Sequence, residues 1–466
     1  MQLHIKDIGP IGSAEVDLTG LTVIGGLNDT GKSTIGKVLF SIVKSIRNRD
    51  EQFNIDQQNR ISPIISELIS ELRSSVGPII QPSNYSNIVR RLQDIRRFSG
   101  DNGLALFDVI SEDITEHLIE EARRREPLIR RITLGKESSN LEQEWENKIV
   151  PSIRNITSTY LIKIRNVVSE QQNLIDIYTA SFNSVFNAVF NSEINNKRSI
   201  SLTQGGTIKL IDNIKCILEI SFKHSEVNES ALTLDTDAIS SLFDDVTLLE
   251  TPFALNFKND LILAPRNSNG NYLANYPTYD LLEKLSFASR ESDSQANLER
   301  EIIDIIGKVI DGEIYFDQDT DEFVFASNDK VNIRITNTAS GIKSLGILQM
   351  LARAGVLVAS NLLLVDEPEV HLHPGWQITY AEIIAILVKR YNIYCLVSSH
   401  SPYFIQAIEA YSKIYKMENL TKFYVSEKNE GSCTLRDITN NPEPLYKLLA
   451  DPMKRIAYLR AKAQNE

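Results

Sequence analysis

Lys32 and Ser33 close the stretch "GGLNDTGKST", where Gly26 and Gly31 set the spacing G-x4-G-K-[ST]. That pattern binds phosphate. The glycines let backbone N–H groups turn inward around phosphate oxygens at a helix N-terminus, the Lys32 ammonium neutralises the β and γ phosphates, and the Ser33 hydroxyl reaches magnesium. Asn28, Asp29, Thr30 and Thr34 complete the expected nucleotide-binding stretch. A second group is the adjacent acids Asp366 and Glu367 in "NLLLVDEPEVHLHP". An aspartate at a strand's C-terminal edge can share the magnesium that Ser33 touches, and the next carboxylate can orient and deprotonate an attacking water. A third is His400 in "YCLVSSHSP", placed to hydrogen-bond the γ-phosphate or the attacking water.

The elements that must hold these groups are also legible. "LTVIGG" before the loop, Leu362 to Val365 before the acids and "YCLV" before the histidine are short continuous apolar runs, as buried parallel strands require. "STIGKVLFSIVKSI" after the loop carries apolar residues at helical spacing, giving strand, loop and helix in order. Lys32, Asp366 and His400 then stand just beyond the C-terminal ends of parallel strands, the edge at which open α/β sheets bind ligands. The fold class is α/β.

In "TNTASGIKSLG", Ser340 and Gly341 precede "IKSLGILQMLARAG", whose apolar positions recur at helical spacing. A helix opening there would aim free N–H groups and a hydroxyl at an anion, or Ser340 would serve as an ordinary N-cap.

Taken together, "LHIKDIGPIGSAEVDLTGLTVIGGLNDTGKST", "TASGIKSLG", "DEPEVHLHP" and "SSHSP" resemble ABC-type ATPases of the SMC, RecF and overcoming-lysogenization-defect kind. The resemblance implies an ABC-type P-loop head, with a mixed-sheet lobe and a parallel-sheet lobe, that binds ATP and Mg2+. It also implies that Ser340 and Gly341 grip the γ-phosphate of ATP bound to the opposite subunit, so that two heads form a homo-oligomer around two nucleotides. Transporter-type heads carry Leu-Ser-Gly-Gly-Gln; Ala339 to Lys343 is closer to the Ser-Gly-x-Lys form of the prokaryotic SMC-like branch. Lys343 would neutralise phosphate in trans or sit as a solvated helix residue. Arg266, after "LILAP", matches a Pro-Arg of that branch and would contact phosphate, the opposite subunit or a structural ion-pair partner. The glutamine that usually couples the magnesium site to the helical insertion has no evident position.

More than three hundred residues separate Lys32 from Asp366, so an insertion is expected. The expected organisation is an N-terminal head part over 1–45, a helical insertion over 46–192, the remaining head over 193–425, and a C-terminal hairpin and helix over 426–466. The insertion carries amphipathic stretches such as "NIVRRLQDIRRF" but no sustained a/d heptad, which favours a compact bundle or short hairpin over a long coiled coil. "RSISLTQGGTIKLIDNIKCILEISF" alternates and contains a Gly-Gly turn. Only 66 residues follow His400, too few for the nuclease domain that follows the head in overcoming-lysogenization-defect proteins. The resemblance therefore points to a standalone ATPase subunit like those of the anti-phage systems Septu and PARIS, partnered by a separately encoded nuclease or toxin.

Composition sets the outer bounds. The 466 residues are 42% hydrophobic and 24% charged, with a net charge of -12 that argues against indiscriminate nucleic-acid binding. Contact with nucleic acid through Arg123 to Arg125, Arg130 and Arg131, or Lys454 to Lys462, stays open, although nearby glutamates favour a charge-laced solvent face. No apolar run is long enough to cross a bilayer and the start lacks a signal peptide, so a cytoplasmic protein without a membrane partner is expected. Cys216, Cys395 and Cys433 are expected to be buried free thiols. The functional expectation is an ATP-operated sensor and scaffold of an anti-phage defence complex; the alternative is a RecF-like DNA-repair ATPase that clamps DNA. A monomeric phosphate-loop kinase would require the signature and His400 to be coincidental.

Overall fold

The computed structural model describes residues 1–76, 88, 101–124, 145–170, 173–197, 205–240, 243–257, 272, 276–288, 297–429 and 431–465. The chain forms two compact units, one of Met1–Arg49 with Tyr178–Glu466 and one of Asp50–Ile177.

The strands of the first unit are β1 Gln2–Ile8, β2 Ile11–Asp17, β3 Leu21–Gly26, β4 Thr207–Asp212, β5 Lys215–Lys223, β6 Glu226–Val227, β7 Thr233–Leu234 and β8 Asp245–Leu249. They continue with β9 Gly312–Asp317, β10 Glu322–Ser327, β11 Asn332–Arg334, β12 Asn361–Asp366, β13 Tyr394–Ser399, β14 Thr421–Asn429 and β15 Ser432–Asp437. The helices used below are α1 Lys32–Arg47, α2 Arg49–Val76, α3 Asp101–Arg124, α4 Val150–Ser169, α5 Leu174–Phe190, α6 Tyr276–Leu285, α7 Asn297–Ile310, α8 Ser340–Arg353, α9 Pro374–Tyr391, α10 Pro402–Ile414 and α11 Glu443–Asn465.

Among the described residues, one 12-stranded sheet runs β6-β5-β4-β1-β2-β15-β14-β3-β13-β12-β8, with β7 paired to β5 off this path, and a small sheet runs β11-β10-β9. The large sheet has two characters. From β14 through β3, β13 and β12 to β8 every pairing is parallel, whereas β2, β1, β4 and β5 pair antiparallel. The fold is thus α/β with a parallel lobe and a mixed lobe. Continuous apolar runs explain the parallel part: Leu362 to Val365 and Leu21 to Ile24 are buried, as strands covered on both faces must be. At roughly 1.5–3 kcal/mol for each fully buried aliphatic side chain, such a run holds its place in the layer without help from neighbouring loops. The same core takes in Leu345, Leu348 and Met350 of α8, Ile383 to Leu387 of α9 and Phe404 of α10.

The second unit is helical in its described residues. Ile61, Ile65, Leu68 and Leu72 of α2, Phe107, Ile114 and Leu118 of α3, and Ile153, Leu161 and Ile164 of α4 form its own apolar core. Arg123 pairs with Glu146 and Arg124 with Glu121, so the described part of that basic cluster is a charge-laced surface. Arg125, Arg130 and Arg131 lie outside the described residues, as does Arg266.

Three expectations need correction. The hairpin β4–β5 turns at Asn213 and Ile214, with φ 44° and 80°, and not at the Gly-Gly pair, which precedes β4. Two positive φ values match the strand twist of a two-residue hairpin, and Asn tolerates them; Ile214 does so while 99% exposed. Cys216 is exposed, because at this position the β5 side chain faces outward; Cys395 and Cys433 are buried free thiols. The hairpin β14–β15 is no appendage: β14 pairs with β3 and β15 with β2, so both strands lie inside the central sheet.

Candidate active site

Register brings three loops to one level of the sheet. Asp366 pairs with Ser398 across β12 and β13, and Ser398 and Ser399 pair with Ile24 and Gly25 across β13 and β3. The phosphate loop, the paired acids and His400 therefore leave adjacent parallel strands at the same edge.

The loop over Leu27 to Gly31 is tightly backed. A Cβ on Gly26 would lie 2.7 Å from the Ser426 carbonyl oxygen, and Gly31 has φ 82°, so neither position accepts a larger residue without displacement. The Ser426 hydroxyl donates to the Thr30 carbonyl and Lys428 pairs with Asp29, both from β14. Lys32 is 4% exposed; its ammonium donates to the Leu27 carbonyl at 2.7 Å, which spends one of three N–H bonds. The Ser33 hydroxyl makes no hydrogen bond among the described residues.

Four helices begin near this edge, and they differ at their first turns. His373 caps α9 by accepting from the Gly375 N–H, and Ser401 caps α10 by accepting from the Phe404 N–H. By contrast, α1 and α8 begin after Gly31 and Ala339 with no side-chain cap and no acidic residue in the first turn. Their orphan N–H groups and positive dipole ends suit an anion. Ser340 is the first residue of α8, not its cap, and its hydroxyl makes no hydrogen bond among the described residues.

Glu367 has φ 47°, a left-handed backbone that costs on the order of 1–3 kcal/mol outside glycine. Its N–H donates to the Ser398 carbonyl at 3.0 Å, which fixes the kink. The kink brings Glu367 Oε1 within 3.7 Å of Lys32 Nζ and 3.5 Å of His400 Nδ1. Asp366 stays at the end of β12 and accepts from the Ser398 hydroxyl. A cavity of about 140 Å3 adjoins the acids, lined in part by Glu250, Thr251, Ser344, Asp366, Glu367 and His371. Among the described residues no three His, Cys, Asp or Glu side chains gather in metal-binding geometry. Ser33 and Asp366 offer oxygen donors of the kind that magnesium takes.

Lys32, Asp366, Glu367 and His400 thus converge, while Ser340 and Gly341 share no hydrogen bond or ion pair with them among the described residues. Gly341 packs instead against Trp376 and the His371 carbonyl. Lys343 is neither solvated nor turned outward. At 2% exposure its ammonium donates to Asn256 Oδ1 at 2.9 Å and lies over the Phe253 ring, and burial holds it below the usual lysine range.

Sequence reasoning missed three residues. Glu250 directly follows β8, the strand on the far side of β12, and pairs with Lys37 of α1 at 3.1 Å. Ser398 holds Asp366. Glu369 lies against His400, and nothing in the mixed stretch "EVHLHP" after Pro368 sets it apart in the sequence.

A phosphate loop, paired acids and a histidine on adjacent parallel strands define the nucleotide-binding head of a P-loop ATPase. The family described as "AAA ATPase domain" matches residues 1–405, and the chain belongs to that family. A protein of Escherichia coli named as the probable ATPase of retron Ec83 is 22% identical over 268 residues, which are 53% of this chain and 45% of that protein. The aligned part is under half of that relative's length. Among solved structures, the SMC head bound to the C-terminal winged-helix domain of ScpA superposes with a TM-score of 0.40 and 11% identity, over 94% of this chain and 96% of the other. The SMC head domain from Thermotoga maritima gives a TM-score of 0.34 and 9% identity, over 94% and 97%. At these values the fold rests on the strand order described above and on the family model. No helix among the described residues is long and apolar enough to cross a membrane.

Proposed function

We propose that the protein hydrolyses ATP at composite sites between two heads and thereby acts as the sensor and scaffold subunit of an anti-phage defence complex with a separately encoded effector. The observation that carries the hydrolytic part is Glu367 Oε1, placed between Lys32 Nζ at 3.7 Å and His400 Nδ1 at 3.5 Å. The loop backbone and Lys32 bind the phosphates, and Ser33 and Asp366 are the residues that would hold magnesium, whose charge would offset that of the phosphates. Glu367 orients the attacking water and takes its proton, and His400 hydrogen-bonds that water or the γ-phosphate. Ser340 and Gly341, free of any cap, complete the opposite subunit's site, with Lys343 supporting them from beneath. The relative named as a retron's ATPase supports an ATPase that works within a larger assembly.

The test is native mass spectrometry on tagged Glu367→Gln protein, recovered from its own cells with ATP and magnesium. A multimer carrying a second, effector-like polypeptide is the expected result. A bare dimer that retains DNA would replace this reading with the DNA clamp.

A further inference from the structure

We propose that Glu369 is the positioning residue of His400: it takes the imidazole Nδ1–H, which fixes the tautomer and turns the Nε2 lone pair toward the attacking water. The inference rests on the reading of the site as an ATPase centre.

Glu369 is 6% exposed, and among the described residues it has no lysine or arginine partner. A buried carboxylate needs several donors to offset lost hydration, and burial does push this carboxyl up. Its Oε1 accepts from the Ser399 hydroxyl at 2.8 Å, the His400 N–H at 2.6 Å and the Ser401 N–H at 3.1 Å. The carboxylate is thereby locked to the segment that carries the histidine. Gln377 of α9 locks the same segment from outside, accepting from the Ser401 hydroxyl at 2.6 Å and donating to the Leu372 carbonyl at 3.1 Å.

Two atoms in this frame are buried without a hydrogen bond, Glu369 Oε2 and His400 Nδ1. They belong to facing groups, since Nδ1 lies 3.1 Å from Glu369 Oε1. A proton on Nδ1 supplies a donor beside a carboxylate that still has an acceptor to fill. Glu367 Oε1, 3.5 Å from the same nitrogen, adds a second carboxylate that a bare Nδ1 lone pair would face unfavourably. With Nδ1 buried and the His400 side chain 37% exposed, the open edge of the ring carries Nε2. In the neutral imidazole that atom is then an acceptor, and a carboxylate behind a histidine is a general device for fixing this choice.

The experiment uses the full chain labelled with 15N-histidine, with the His400 signals among six histidines identified by their loss in His400→Gln. The expected spectrum shows His400 protonated on Nδ1. In Glu369→Gln the charge that holds the proton on Nδ1 is gone, and the share of the Nε2-protonated tautomer should rise. Turnover should fall about 10- to 100-fold, the scale of lost orienting partners, with ATP affinity unchanged. Wild-type His400 protonated on Nε2 would overturn the proposal, and this holds even if the variant does not fold. Wild-type turnover in Glu369→Gln beside an inactive Glu367→Gln would overturn it too. Full turnover in Glu367→Gln would instead defeat the ATPase-centre reading, which the tautomer measurement does not depend on.

Discussion

In the proposed mechanism the chemistry turns on one strained carboxylate, Glu367. Glu367→Gln removes the charge between Lys32 and His400 and leaves the loop intact. Steady-state phosphate release should fall by about 10²- to 10⁴-fold, while a fluorescent ATP analogue binds as before; unchanged release would make Glu367 a spectator. Lys343→Met tests the opposite kind of residue, a buried ammonium without an acidic partner among the described residues. Because burial depresses this lysine's protonation, a neutral side chain of similar length relieves a cost, and thermal melting should show an equal or higher Tm. A fall of several degrees would mean that the Asn256 and Phe253 contacts are worth more than the buried charge costs. Lys32, Asp366, Glu367 and His400 were legible because each follows an apolar strand at a fixed offset. Glu369 was not, because it reaches His400 only through the left-handed turn at Glu367, and no periodicity announces a positive φ. The burial of Lys343 was equally hidden, since it depends on a turn some 90 residues away in sequence, that of Asn256.

Among the elements, α1, β8 and α6 are tied together behind the site by charge. Lys44 of α1 meets Asp245 of β8 at 2.6 Å and Asp280 of α6 at 2.5 Å, and Lys284 reaches the same acids at 2.8 and 2.9 Å. Lys44→Met leaves two acids sharing one lysine and should cost about 3–5 kcal/mol, read by chemical denaturation; a loss below about 1 kcal/mol would show the pairing to be dispensable. Burial alone would raise the Asp245 carboxyl, but Lys44 and Lys284 outweigh it and hold it below its ordinary 3.8. The stability from a depressed carboxylate is complete above that value and is lost as pH falls through the folded one, so acid should destabilise the wild type below about pH 4. The Lys44→Met protein should show a shallower acid dependence. Strands β3, β12 and β13 were legible from their apolar runs, whereas the place of β14 beside β3 was not, because the partners lie about 400 residues apart and share only register. The Asn213–Ile214 turn was misplaced because a nearby Gly-Gly pair is the stronger composition signal.

At the scale of the molecule, the family and the strand order make this chain an ATPase head. Its two uncapped helix starts, α1 and α8, serve different parts: Lys32 converges on Glu367 and His400, while Ser340 and Gly341 share no hydrogen bond or ion pair with them among the described residues. On the proposed reading, a site that needs both starts draws on two copies. The most direct measurement is to mix two inactive proteins, Lys32→Ala and Ser340→Arg, and follow phosphate release. In a mixed two-fold pair, the intact phosphate loop of the Ser340→Arg copy meets the intact signature of the Lys32→Ala copy. Equal mixing should restore up to about a quarter of wild-type turnover, since half of the pairs are mixed and each holds one whole site. No recovery from two folded, pair-forming variants, or full turnover by Ser340→Arg alone, would contradict a site shared between heads.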